Sequence, residues 1–332
     1  MNYQDIISNL KKRIFHPVYF LTGEEPYYID EIADYIENHI LTENEQEFNQ
    51  IVLYGRDSTM PAIISNCKRY PMMASHFVVI VREAQDLDNF EGLEQYMEKP
   101  LESTILVICY KYKKFDGRTR LAKKLKEKGV FFESPKIYDN KIPDWINAYL
   151  KDRGYKITPK ASILLTEFLG NNLGKIVNEL NKILISLKEG SDIDEDIIEQ
   201  NIGISKDFNV FELQKALGQR NILKANQIVK YFAANPRENP LLKIIPILHQ
   251  FFVKLMIYNQ LKDKSQQSVA AALGVHPFIA REYIDAGKNL KMSKLSEIIS
   301  VLREYDLRAK GLNNESTTEG ELMREMVYKI LH

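Results

Sequence analysis

The sequence predicts an α/β domain with a parallel sheet, followed by an all-α remainder. Three observations carry this expectation. Five short segments rich in Val, Ile, Phe and Tyr recur before Pro135, stretches of helical periodicity separate them, and no strong strand candidate follows Pro135. The strand segments are 18–22, 51–54, 77–82, 104–110 and 130–133; the helix-like stretches between them are 27–41, 59–69, 90–97 and 118–128. Alternation of this kind builds a parallel sheet with helices on both faces, because each crossover returns the chain across one face. The nearly all-apolar runs Phe77-Val78-Val79-Ile80-Val81 and Ile105-Leu106-Val107-Ile108 fit central strands buried on both sides.

Past Pro135, residues 141–153, 159–169, 173–187 and 193–201 repeat apolar side chains at helical spacing. Pro143 suits a first helical turn, and Asp192 and Asp194 are candidate caps for the last of these helices. Trp145, the only tryptophan, is expected in the core of this small module. A second boundary is expected near 203–209. Helical periodicity then continues through 210–217, 222–233, 240–261, 265–273, 277–288, 292–310 and 319–331, with 241–256 the most apolar part and the expected bundle core. The organisation read from the sequence is therefore 1–138, 139–206 and 207–332.

Composition narrows the class. The chain has 332 residues, enough for two or three domains, with 45% hydrophobic and 27% charged residues, the balance of a folded protein. Its longest apolar runs are shorter than ten residues, and Asn2, Gln4 and Asp5 leave no signal-peptide core behind Met1, so neither a membrane span nor a leader is expected. Cys67 and Cys109 are the only cysteines and fall in no metal-binding spacing, which points to a reducing cytoplasm without disulfides or zinc. Forty-five basic and 45 acidic residues exclude a globally basic nucleic-acid binder and leave a local basic face open.

The first strand runs into a turn where a nucleotide-binding ATPase carries GxxxxGK(S/T), whose backbone N–H groups cradle phosphate and whose Lys neutralises it. Here that place holds Thr22-Gly23-Glu24-Glu25-Pro26-Tyr27-Tyr28. Two glutamates repel phosphate, Pro26 removes a donor, and no Lys or second Gly follows. The stretch Val81-Arg82-Glu83-Ala84-Gln85-Asp86 after the third strand has only scattered acids where a metal-binding cluster would sit. The layout is that of a P-loop ATPase and the chemistry is missing, so Gly23, Glu24, Glu25 and Pro26 mark a degenerate ATP site. Six dispersed histidines and the absence of a nucleophile elbow suggest no other reaction. No catalytic residue, metal or cofactor is expected.

At this point the residues carry a resemblance. Pro17-Val18-Tyr19-Phe20-Leu21-Thr22-Gly23-Glu24-Glu25-Pro26-Tyr27-Tyr28 is similar to the start of the delta subunits of the bacterial DNA polymerase III clamp loader. So are Arg118-Thr119-Arg120-Leu121-Ala122-Lys123-Lys124-Leu125 with the strand after it, Gly170-Asn171-Asn172-Leu173-Gly174-Lys175, Leu273-Gly274-Val275-His276-Pro277-Phe278 and Asp306-Leu307-Arg308-Ala309-Lys310-Gly311. Their order spans nearly the whole chain. The resemblance implies an AAA+-like domain with a degenerate ATP site, a small helical lid and a helical collar that exposes an apolar face to neighbouring subunits. It implies a cytoplasmic bacterial protein, near the nucleoid during replication, within the DNA-directed DNA polymerase holoenzyme. The implied partners are the beta sliding clamp, gamma/tau and delta prime subunits, and primer–template DNA, with no membrane.

The resemblance also implies a clamp-contacting element between the second helix and third strand, which falls on Tyr70, Pro71, Met72 and Met73. Pro71 keeps the preceding helix from continuing, and flexible thioethers suit an adaptable apolar anchor. These residues depart from the family's commoner Leu-Phe pair, and without the resemblance the methionines read as core packing. A basic run from Lys111 to Lys128 offers Lys114, Arg118, Arg120 and Lys124 as DNA contacts. The competing reading is a solvated helix whose Leu121 and Leu125 face the sheet, favoured because a neutral chain supplies no supporting field. Two other functions stay in view: a nucleotide hydrolase with an unorthodox site, and a DNA-binding protein that acts without a clamp.

Overall fold

A computed structural model of the chain describes residues 1–188, 190–202, 205, 208–314 and 316–332. It forms two compact units, Met1–Ile137 and Tyr138–His332. The expected boundary at 206/207 lies outside the described residues.

The first unit contains, in order, α1 (Tyr3–Lys11), β1 (Val18–Gly23), α2 (Pro26–His39), α3 (Glu43–Asn49), β2 (Gln50–Tyr54), α4 (Met60–Cys67), β3 (Phe77–Arg82), α5 (Leu93–Tyr96), β4 (Thr104–Lys111), α6 (Arg120–Lys128) and β5 (Val130–Ser134). All five strands are parallel, in the order β2-β3-β4-β1-β5. Residue alternation along each strand sends side chains to opposite faces. Tyr19, Leu21, Ile80, Val107 and Cys109 meet Ile29, Ile32 and Ile36 of α2, with Ile6 and Leu10 of α1. On the other face Phe20, Val79 and Ile108 meet Ile63 of α4, Leu93 of α5, and Leu121 and Leu125 of α6. The expected strands, their central pair and the two-faced coverage are all present.

Two short helices escape the periodicity reading. Both carry reciprocal caps: Asn2 with Asp5 opens α1, and Thr42 with Glu45 opens α3. α1 places Tyr3, Ile6, Ile7 and Leu10 on one face at helical spacing, whereas α3 has no apolar stripe and buries only Asn49. That single buried polar residue becomes important below.

The second unit is helical apart from a two-residue parallel pair, β6 (Lys156–Ile157) and β7 (Asp192–Ile193). Around that pair lie α7 (Ile142–Lys151), α8 (Pro159–Leu169), α9 (Leu173–Ser186) and α10 (Glu195–Ile202). Asp194 accepts a hydrogen bond from the Ile197 N–H and caps α10, while Asp192 belongs to β7. Trp145 is only half-buried, stacked on Tyr149 at 5.3 Å, so it lies at the margin of its module and not in the core.

The remaining helices are α11 (Val210–Gly218), α12 (Ile222–Ala234), α13 (Leu241–Gln260), α14 (Gln266–Leu273), α15 (Pro277–Asn289), α16 (Met292–Ala309) and α17 (Glu319–Leu331). The 20-residue α13 is apolar enough and long enough to cross a membrane by composition alone. It instead buries Leu241, Ile244, Leu248, Phe252 and Leu255 among the neighbouring helices, as a bundle core does.

A cavity of about 210 Å³ lies within this unit, bordered by Glu167 of α8, Lys254 of α13 and Tyr283 of α15. Burial, with the Glu282 and Glu212 carboxylates adding repulsion against the weaker pull of Lys254, pushes the Glu167 pKa up to about 8. Folding therefore favours its protonated form, and that contribution is complete below the ordinary value of 4.5. It is lost as pH rises through about 8. Glu167→Gln has no such titration. Thermal melts are expected to show the variant gaining on the parent between about pH 5 and pH 8 and levelling off above that, and a constant difference across that range would contradict the assignment.

Candidate functional site

The β1–α2 junction is closed by its own chain. Gly23 has φ +142°, and a Cβ there would lie 2.0 Å from the Ser134 carbonyl oxygen, so only glycine allows β5 this close. The buried Thr22 hydroxyl donates to the Lys113 carbonyl at 3.2 Å and accepts the Phe115 N–H at 3.0 Å, sealing the same corner from the segment after β4. Glu25 is the N-cap of α2, and its carboxylate accepts the Tyr27 N–H at 3.0 Å. Burial raises the Glu25 pKa against the lowering effect of that bond. A free helix N-terminus attracts anions because its N–H groups and dipole are unmatched. Here a buried carboxyl occupies that position, Pro26 supplies no donor, and Glu24 stands exposed beside them. The place where phosphate would be held is already filled.

Next to it the ends of β3 and β4 carry an ion-pair network. Arg82 reaches Asp34 at 2.6 Å, Glu37 at 2.5 Å and Asp30 at 3.4 Å, all on α2. Lys111 reaches Asp30 at 2.7 Å and Glu83 at 2.8 Å. Gln85 completes the group, accepting the Lys111 N–H and donating to Glu83. Burial acts to lower the Lys111 pKa, yet the bonds to Asp30 and Glu83 outweigh it and the net shift is upward. Arg82 behaves alike, burial being outweighed by Glu37 and Asp34. Lys111, which in the sequence opens the basic run, is thus an interior group of the sheet edge and not part of a surface.

The remaining basic residues are mostly engaged. Lys114 pairs with Glu133 at 3.0 Å, Arg118 with Asp116 at 3.0 Å, and Lys124 with both Glu94 and Glu98. Arg120 is exposed. Leu121 and Leu125 are buried against the sheet, which is the arrangement of an amphipathic helix with a solvated charged face.

The methionine pair does not pack in the core. Helix α4 ends at Cys67, and the chain then leaves Tyr70, Met72 and Met73 in solvent, the last two 61% and 102% exposed, with Pro71 half-buried between them. Met73 has φ +55°, a left-handed conformation that costs a non-glycine residue of order 1 kcal/mol. The loop around it is anchored. Ala74 packs against the core cluster of the first unit, His76 meets the Phe15 ring edge-on at 5.1 Å, and Arg69 lies over Phe77. Elsewhere, no group of His, Cys, Asp and Glu able to hold a metal occurs among the described residues. Cys67 and Cys109 are buried, and burial pushes both thiols up to about 12, far from a reactive thiolate.

Comparison with known families settles the lineage. The family model for the DNA polymerase III delta subunit matches residues 19–134, and that for the delta subunit's C-terminal domain matches residues 207–324, together more than half of the chain. The chain belongs to the DNA polymerase III delta-subunit family. The DNA polymerase III subunit delta of Bacillus subtilis (strain 168) is 26% identical over 317 residues, covering 92% of this chain and 91% of that one. A solved structure of the Bacillus subtilis DNA clamp loader delta protein shares the fold, with a TM-score of 0.64, 22% identity and 99% coverage of each chain. In this chain the β1–α2 junction is held shut by Gly23, Thr22 and Glu25.

Two outcomes are expected. Lys111→Ala removes the cation shared by Asp30 and Glu83, and should lower stability in urea unfolding by about 2 kcal/mol, less than for a fully buried pair because both carboxylates still reach water and keep Arg82 and Gln85 as partners. Replacing Arg118, Arg120 and Lys124 together with Ala should leave primer–template binding by an assembled loader within about twofold of the parent, since Arg118 and Lys124 are paired with acids and a single exposed cation contributes little. A large loss there would assign these residues as DNA contacts.

Proposed function

We propose that this delta-family chain is the clamp-contacting subunit of a clamp loader. It binds the beta sliding clamp through Tyr70, Pro71, Met72 and Met73 and helps open the ring, so that the loader places it on primed DNA. The exposed methionine loop carries this reading. A fully solvated Met beside a second exposed Met, on an anchored loop with a left-handed turn, presents apolar surface that a partner would bury.

The filled phosphate position supports assigning ATP turnover to neighbouring gamma/tau subunits, with delta prime completing a hetero-oligomer. The three-part division, with a lid before residue 206 and a collar after it, belongs to the same proposal. Leu223, Leu242 and Tyr328 are exposed apolar side chains of the last helices, suited to neighbouring subunits. The subunit would act in the bacterial cytoplasm, at the nucleoid during replication.

Burying an apolar side chain of this size contributes ~1.5–3 kcal/mol before ordering costs. The Met72→Ala/Met73→Ala double variant should therefore bind purified beta sliding clamp at least about tenfold more weakly, with its circular dichroism unchanged. Undiminished binding by the folded variant would sink the proposal.

A further inference from the structure

Among the anchors of the methionine loop is one buried residue of α3. Asn49 ends α3 and is 1% exposed. Its side-chain amide closes on the backbone of a residue 23 positions later: Nδ2 donates to the Met72 carbonyl at 3.0 Å, and Oδ1 accepts the Met72 N–H at 2.5 Å. The second Nδ2 hydrogen donates to the Glu45 carbonyl at 2.9 Å, one turn back in the same short helix. A primary amide is the side chain able to offer a donor and an acceptor side by side at neutral charge, as a strand neighbour does. Asn49 thus gives Met72 both hydrogen bonds of a β-bridge without a strand. Met73 follows immediately, left-handed and turned fully into solvent.

We infer that Asn49 is a positioning residue for partner binding, fixing the Met72 main chain so that the two thioethers are presented in one place before any partner arrives. The inference rests on the clamp-contact reading and deepens it. An ordered tip avoids the entropy of ordering at the moment of binding, whereas a tip that is competent only part of the time binds more weakly in proportion to that fraction. The residue's location fits this role and no other visible one. It is a buried polar group with all its bonds spent on two backbones, one inside its own helix and one in the loop.

The decisive variant is Asn49→Asp. Its ionised carboxylate keeps an acceptor for the Met72 N–H but turns a second acceptor toward the Met72 and Glu45 carbonyls. When protonated it again has one donor beside one acceptor, and both bonds to Met72 can re-form. Affinity for purified beta sliding clamp, taken as a ratio to the parent chain at each pH, should be about tenfold weaker near pH 8 and recover to within about twofold near pH 5.5. Added to Met72→Ala/Met73→Ala, Asn49→Asp should cost nothing further, because the groups it positions are gone. Should that variant not fold near pH 8, Asn49→Ala supplies the same comparison, with a loss that does not recover at lower pH. If the methionine variant binds weakly while both Asn49 variants bind like the parent, the positioning role fails and the clamp contact stands. If the methionine variant itself binds like the parent, the clamp contact fails first.

Discussion

The Lys111 ammonium held between Asp30 and Glu83 is the interaction around which the first unit is arranged. It ties the end of β4 to α2 and to the turn after β3, and Arg82 repeats the tie one strand over through Asp30, Asp34 and Glu37. In a nucleotide-binding relative of this layout, the corresponding edge of the sheet presents cations and bare N–H groups to a polyphosphate. Here three carboxylates of α2 and one after β3 supply the negative charge from within. The edge is neutralised by the chain itself, and Glu25 at the helix start removes the remaining attraction for an anion. Folding has taken over the electrostatic work a ligand would otherwise do.

That closure bears on the opposite end of the same strand. Strand β3 runs from Phe77, beside the methionine loop, to Arg82 in the network. Its interior residues Val78, Val79, Ile80 and Val81 are fully buried between two helical layers. A strand packed on both faces and pinned by charge at its far end is a rigid base, and rigid bases are what allow exposed loops to keep one shape. The closed frame is therefore a rigid support in its own right. It supports the exposed methionine loop at the end of the sheet opposite the ion-pair network.

The sheet was legible because its information is local. Runs such as Ile105-Leu106-Val107-Ile108 can only be buried, and the turn residues around them set their limits. The helices after Pro135 were legible for the same reason, to within a residue or two at most ends. The two early helices were missed although their caps were in plain view: Asn2 and Asp5, and Thr42 and Glu45, stand at capping-box spacing. The site was legible only in part. Gly23, Glu24, Glu25 and Pro26 could be read as hostile to phosphate from charge alone. Lys111 could not be separated from the basic run that follows it, since its partners Asp30 and Glu83 lie 81 and 28 positions away. Nor could Asn49, whose neighbours Glu47 and Gln50 suggest surface and whose partner is a backbone.

The methionine loop shows why such residues matter. Thioether side chains are flexible and adapt to an irregular pocket, which favours their use in a contact but makes their own placement uncertain. Flexibility in both main chain and side chain would leave the partner to order the whole segment on binding. In this loop the two are separated. Asn49, Ala74 and His76 hold the backbone on either side of Met73, and the left-handed turn points its side chain away from the core. Adaptability then remains only in the thioethers. The strain at Met73 is tolerated because the anchors around it over-determine the path of the chain. A buried amide of a short polar helix therefore fixes the main chain that carries the exposed methionines, though it is itself shielded from solvent.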